Sequence, residues 1–370
     1  MSSVRKRILP SGEIRWQVDY KDQQGKRRSR QFKTKQQALD FETTVRGEIK
    51  AGTHVADSAS LTVAEAGELW LQRCRMDGLE RSTCRQYSEH LRLHLSLIGA
   101  EKLSRLNRPM VEQFRDKLLE TRSRALARKV LTSLKGILSE AQRRGLVAQN
   151  VAAGTKVAMP KRHKEKATIP SKEEIRALLD KTAELWPLTL PWRPLILTAL
   201  FTGLRASELR GLTWDWVDVN AKLIRVRQRA DYKNEMGSPK SAAGIRDVPM
   251  PPMVINTLRQ WRLACPKSEL NLVFTCTGNI ILNSIIHRQC WRPLLRAAGL
   301  DDGSGPRYRF HDLRHAAASL FIEQGWQAKK VQAIMGHNSI QMTFDLYGHL
   351  WKTPEDDAAA MNEIEKRLFS

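Results

Sequence analysis

The chain is poor in the residues that would staple it, anchor it or give it negative charge. Its five cysteines, Cys74, Cys84, Cys265, Cys276 and Cys290, are an odd and scattered set. They make no CxxC pair and no Cys/His grouping with zinc spacing, which excludes a disulfide framework and a zinc fold and points to reduced thiols in a cytoplasmic protein. No apolar run reaches the roughly eighteen residues of a membrane span. No apolar segment follows the basic Arg5-Lys6-Arg7, so a secretion signal is not expected either. Acids are the largest deficit: 39 Asp and Glu against 62 Lys and Arg leave a net charge of +23 and a pI near 10.1. Such an excess points to nucleic acid, and less often to an acidic membrane surface.

With 41% hydrophobic and 27% charged residues in 370, the composition is that of a globular protein too long for one ordinary core. Residues 1–33 alternate polar and apolar around turns at Gly12 and Asp22-Gln23-Gln24-Gly25, predicting three strands, with Thr34 capping a helix whose apolar face carries Ala38, Phe41, Val45 and Ile49. The first fifty residues hold thirteen Lys/Arg against six Asp/Glu, so the open face of such a sheet suits a DNA groove. Ala51 to Ser60 is small and polar and reads as a linker. Four helices are expected next: one opened by the capping box of Thr62 and Glu65, one over 82–97, one from Pro109, and one over 123–144 ended by Gly145. Val151 to Ser171, with the basic Pro160-Lys161-Arg162-His163-Lys164-Glu165-Lys166, reads as a second linker able to lie along a phosphate backbone.

Chemistry concentrates in the remainder. Phe310-His311-Asp312-Leu313-Arg314-His315 reads as the start of a helix, with His311 and Arg314 on one face. A helix N-terminus presents free N–H groups and the positive dipole end, so imidazole, guanidinium and helix start together describe a phosphate seat. Tyr347, on a later short helix, supplies a phenol able to attack that phosphate. Arg205 and Glu208 have the same three-residue spacing, which lets the carboxylate orient the guanidinium. Two strand-like runs, Leu223 to Val226 and Ile245 to Pro249, flank a turn-rich hairpin tip, Gly237-Ser238-Pro239-Lys240-Ser241, that presents Lys240; Lys233 occupies the same hairpin.

These motifs, Thr202-Gly203-Leu204-Arg205-Ala206-Ser207-Glu208-Leu209, Pro239-Lys240-Ser241, His311-x-x-Arg314, Gly336-His337 and Tyr347, resemble in order and spacing those of the tyrosine recombinase, or phage-type integrase, family. Ser241 and Gly244 stand where that family commonly has Thr and Ser. The resemblance implies a mainly α fold with small β-sheets. An arm-site DNA-binding-like domain would span 1–55, a helical core-binding domain 61–155, and a mixed α+β catalytic domain 168–353. A C-terminal tail helix, 354–370, with Met361, Ile364 and Leu368 on one face, would pack back on its own domain or pass to a neighbouring protomer. The implied activity is site-specific recombination for a prophage or other mobile element. Tyr347 would form a 3′-phosphotyrosine, Arg205 and Arg314 would clamp the phosphate, and Lys240 would act as general acid. His311 would assist the proton of the tyrosine, His337 would hydrogen-bond a phosphate oxygen, and Glu208 would support Arg205. His315 and His349 flank the motifs as helix-packing or DNA-facing residues. No metal or cofactor is called for, in keeping with the lack of a carboxylate cluster. The implied partners are double-stranded attachment-site DNA, three further copies of the chain in a tetramer on that DNA, and DNA-bending accessory proteins, in the bacterial cytoplasm at the nucleoid. A type IB topoisomerase shares this residue set, and a DNA-binding protein with a decayed site would share the charge; these are the alternatives.

Overall fold

A computed structural model describes residues 3–22, 25–50, 52, 54–158, 168–187, 189–303, 305–351 and 354–369, with only the backbone for 354–360. The chain divides into two compact units, Met1–Arg162 and His163–Ser370. The basic run of the second expected linker and the acidic start of the tail lie outside the described residues or side chains.

In the first unit β1 (Ser3–Ile8), β2 (Ile14–Lys21) and β3 (Arg27–Phe32) form an antiparallel sheet in sequence order. Alternation along β2 puts Val18 and Tyr20 on one face, where they are buried with Ala38 and Val45 of α1 (Lys35–Lys50). Register places Arg5, Arg7, Arg15, Lys21 and Arg27 on the opposite face, with Asp19 the acid among them. Thr34 accepts from the Gln37 amide at 3.3 Å, as a cap should.

Four helices follow: α2 (Val63–Met76), α3 (Arg81–Leu93), α4 (Arg108–Thr121) and α5 (Arg124–Arg143). The capping box forms in both directions, Glu65 N–H to Thr62 Oγ1 at 3.2 Å and Thr62 N–H to Glu65 Oε2 at 2.7 Å. Their shared core includes Leu71, Phe114, Leu134 and Leu138. The helix expected over 82–97 stops at Leu93; a 3₁₀ turn, Leu95–Ile98, carries Leu95 into the core.

The stretch read as a linker before α2 is tied down where it is described. His54 bonds Glu48 through Nδ1 at 2.9 Å and Tyr20 Oη through Nε2 at 3.1 Å. Arg28 donates to Ser58 Oγ at 2.9 Å, while Asp57 accepts from Ser104 Oγ at 2.7 Å and Arg105 Nη2 at 2.6 Å. Arg105 holds the Asp57 carboxyl down at about 2, against a smaller opposing effect of burial. Small polar residues thus bridge the sheet and the helices here, because their short side chains find partners on both.

The second unit opens with α6 (Lys172–Leu185), capped by Ser171 and Glu174, and the apolar α7 (Trp192–Thr202), which is buried on every side. After α8 (Ala206–Arg210), β4 (Val217–Asp218), β5 (Leu223–Val226) and β8 (Arg246–Pro249) make one antiparallel sheet. Between β5 and β8 a second hairpin pairs β6 (Arg229–Ala230) with β7 (Met236–Gly237). Its turn, with Asn234 at φ 63°, is the true hairpin tip. Lys233 sits there, and Lys240 lies beyond β7 on the way back to β8, which corrects the tip expected at 237–241. Asp231 forms it through side-chain bonds that sequence spacing left unweighed, its Oδ1 accepting from the amides of Lys233 and Glu235 at 2.7 and 3.0 Å, while Asn234 supplies the left-handed backbone.

Helix α9 (Pro252–Ala264) leads to α10 (Asn283–Ile285), which runs through a π-helical stretch, Ile286–Trp291, into α11 (Arg292–Ala297). Then come α12 (Asp312–Glu323), α13 (Ala328–Met335), α14 (Ile340–Tyr347) and the tail helix α15 (Pro354–Phe369). On α15, Met361, Ile364, Leu368 and Phe369 are exposed, so the helix does not pack that stripe on its own domain.

Candidate active site

Two helix ends organise the site. Helix α7 stops at Gly203 (φ 64°) and α13 at Gly336 (φ 64°), both left-handed. A Cβ at Gly203 would meet Met335 Sδ at 2.9 Å, and one at Gly336 would meet the Ala243 carbonyl at 2.9 Å, so glycine is required on conformational and steric grounds alike. Each end offers its carbonyl to an arginine from elsewhere: Arg314 Nη1 donates to Gly203 O at 2.5 Å, and Arg205 Nη2 to Gly336 O at 2.7 Å. Arg314 also donates to Met335 O. Terminal carbonyls carry the negative end of the helix dipole, which suits a cation.

Glu208 ties the frame together. Only 2% exposed, it accepts from the Arg205 amide at 2.8 Å and Arg205 Nη1 at 2.7 Å, as the spacing predicts, and from Arg246 Nη2 at 2.9 Å. Arg246, almost as buried, adds bonds to Ile334 O at 2.5 Å and Gly244 O at 3.0 Å. Burial pushes the Glu208 carboxyl up, but Arg246 and then Arg205 outweigh it and hold it at about 2. Burial, then Arg205, pulls Arg314 down to about 9, which leaves it charged at neutral pH.

A cavity of about 460 Å³ opens over this frame, lined by Arg205, Arg229, Lys240, His311 and Asn338 among others. Lys240 is exposed at its edge; Lys233 does not line it. His311 is exposed, yet desolvation by the surrounding chain, then His315 and Arg314, keep its imidazole down at about 4. His337 is buried with Nδ1 2.9 Å from Thr343 Oγ1, and burial followed by three nearby arginines sets it at about 3. Tyr347 is wholly buried and its phenol is pushed up to about 12 by burial. It lies behind the cavity rather than on its wall, with its ring stacked near that of His337 at 6.3 Å. Its hydroxyl meets His315 Nδ1 at 2.7 Å.

The six expected catalytic residues are therefore drawn to one place by α7, α8, the β7–β8 loop, α12, α13 and α14. The model of the phage integrase family matches residues 170–353, the span that holds all of them. The chain belongs to this family of tyrosine recombinases. This integrase is 27% identical over 366 residues to the XerC-like tyrosine recombinase of Caldanaerobacter subterraneus, covering 89% of this chain and 90% of the relative. It is 24% identical over 343 residues to the ICEBs1 integrase of Bacillus subtilis, with 88% and 89% covered. In fold it is similar to the Tn1549 transposon integrase, solved with a circular intermediate DNA, at a TM-score of 0.68, 19% identity, 82% of this chain and 100% of that one. A lambda integrase tetramer bound to a Holliday junction gives a TM-score of 0.57 at 16% identity, over 90% and 95%. The integrase is thus a site-specific recombinase that cleaves and religates DNA, of the kind carried by mobile elements and prophages, and the topoisomerase alternative is not favoured. No helix among its described residues is long and apolar enough to cross a membrane.

Two residues of the integrase site escaped sequence reasoning. Arg246 lies within the strand-like run Ile245 to Pro249, where alternation puts it on the inward face with Val248, an unusual place for a charge. His315 carried no signal beyond its place after Arg314, since its partner is thirty-two residues away.

Proposed function

We propose that Tyr347 is the nucleophile of this recombinase and that Arg205 and Arg314 hold the scissile phosphate. What carries the reading is the convergence of two guanidiniums, fixed from distant segments by opposed helix ends, beside one buried phenol. A phosphodiester gathers negative charge in its pentacoordinate transition state, and cations already oriented there stabilise it without reorganising. Attack at phosphorus gives a 3′-phosphotyrosine and releases the 5′-oxygen, which takes a proton from Lys240 at the cavity edge. The covalent link conserves the phosphoester, so religation requires no nucleotide cofactor. His337, with Nδ1 engaged by Thr343, has Nε2–H left to donate to a phosphate oxygen, and His311 faces the same anion from the start of α12. Glu208 orients Arg205. Because Tyr347 is closed off in the free chain, DNA binding must bring α14 and the cavity together.

Residues 1–55 serve as the arm-site module, its basic sheet face laid on DNA; 61–155 serve as the core-binding module and 168–353 as the catalytic one. The exposed stripe of α15 supports exchange of the tail, 354–370, within a homotetramer that swaps strands between two attachment sites. DNA-bending accessory proteins assist in the cytoplasm at the nucleoid. The experiment is to trap covalent protein–DNA adducts from cells expressing the chain and a Tyr347→Phe variant, and to sequence the attached DNA. Adducts at one short inverted repeat, absent from Tyr347→Phe, are expected. Adducts that persist in Tyr347→Phe overturn the assignment.

A further inference from the structure

The nearest basic atom to the Tyr347 hydroxyl belongs to a residue that the proposed mechanism leaves idle. His315 sits one position after Arg314 on α12, 8% exposed, with Nδ1 2.7 Å from Tyr347 Oη. Among the described residues no other hydrogen bond is made by that hydroxyl. If Nδ1 carried a hydrogen and donated it, the phenol O–H would lie buried with no acceptor, at a cost of roughly 1–3 kcal/mol. The phenol therefore donates, Nδ1 accepts, and the imidazole hydrogen sits on Nε2. Burial lowers the imidazole below its ordinary value, so the ring is neutral and basic at physiological pH. His311 stands further back, its ring meeting the His315 ring edge-on at 5.2 Å. His337 is committed through Nδ1 to Thr343.

We infer that His315 is the proton acceptor for Tyr347, a catalytic residue in direct contact with the attacking oxygen. The inference rests on the reading of Tyr347 as nucleophile. In cleavage the Tyr347 O–H bond breaks, its proton passes to His315 Nδ1, the oxygen bonds to phosphorus, and the P–O5′ bond breaks as the 5′-oxygen takes a proton from Lys240. In religation the 5′-hydroxyl yields its proton to the Lys240 amine, its oxygen bonds to phosphorus as the P–O bond to tyrosine breaks, and the imidazolium returns its proton to the phenolate. The groups that set the basicity of His315 are Tyr347 and His337 across the site and Arg309, His311, Asp312 and Arg314 around the start of α12.

The test is single-turnover cleavage of a nicked duplex carrying the sequence recovered from wild-type adducts, comparing wild type, His315→Asn and His315→Gln. Asparagine keeps an acceptor near the Nδ1 position but takes no proton. Adduct formation by His315→Asn should fall about 100-fold at neutral pH, within the usual range for lost general-base catalysis, with DNA affinity unchanged. Below the usual histidine range the wild-type rate should decline as pH falls, and this limb should vanish in the variant. A duplex with sulfur replacing the bridging 5′-oxygen should restore Lys240→Ala and leave the His315→Asn defect. A wild-type rate in His315→Asn overturns the inference, as does a defect restored by the sulfur duplex. Should both variants lose DNA binding, the ¹⁵N shifts of His315 in the unaltered chain decide: a protonated Nδ1 overturns the inference, an unprotonated Nδ1 supports it. Failure of the Tyr347 reading shows separately, as wild-type adducts that survive Tyr347→Phe.

Discussion

The arginine frame and the lysine loop hold the same sign of charge in opposite ways. Arg205, Arg246 and Arg314 are immobilised by Glu208 and by five backbone carbonyls, those of Gly203, Gly244, Ile334, Met335 and Gly336. Lys240 lies exposed on the β7–β8 loop with no hydrogen-bond partner among the described residues. A guanidinium with a fixed fork is suited to bind an anion whose position never changes, whereas an ammonium on a flexible stem is suited to deliver a proton and withdraw. In the proposed mechanism, the difference means that anion binding is built before DNA arrives and proton delivery is assembled on it.

The comparison breaks most completely at the group that both sides serve. Tyr347→Phe should abolish adducts while leaving DNA affinity intact, as measured by trapping and by gel shift. Glu208→Gln should injure the frame next: removing the carboxylate leaves Arg246 a buried, uncompensated charge, and unfolding by urea should show a loss of about 3 kcal/mol. The pH dependence has a fixed sign. The carboxyl is lower in the folded chain, about 2 against a usual 4.5, so its contribution is full above about 4.5 and drains away as pH falls toward 2; Glu208→Gln should flatten stability across that window. Lys240→Ala should leave stability unchanged and slow cleavage about 100-fold, read in single turnover. Smallest is Asp57→Asn in the strap between sheet and helices, expected to cost about 1 kcal/mol because its carboxylate is partly solvated.

Much of this was legible in the chain. The capping box at Thr62, the glycines after α7 and α13, and alternation in β2 are local signals, and each forms where its chemistry requires. Arg205 with Glu208 and His311 with Arg314 were readable because i,i+3 spacing is itself local. What escaped depends on atoms far apart in sequence. Arg246 finds Glu208 only through the sheet, and His315 finds Tyr347 only once α12 and α14 pack. The hairpin tip was misplaced because Gly237, Pro239 and Gly244 advertise a turn more loudly than Asp231, which makes the turn through its side-chain bonds, and Asn234, which makes it through a left-handed backbone. The strap at 54–60 looked like a linker because polarity marks surface, and does not distinguish a free chain from one bonded on both sides.

That strap carries a thermodynamic consequence. A loose connection lets two cores melt independently, giving two calorimetric peaks. Here the Tyr20–His54 and Arg28–Ser58 bonds grip the sheet while the bonds of Asp57 to Ser104 and Arg105 grip the helices, so neither core can open without straining the other. The first unit should behave as one cooperative foldon, with amide exchange in β2 and α5 sharing a single opening free energy.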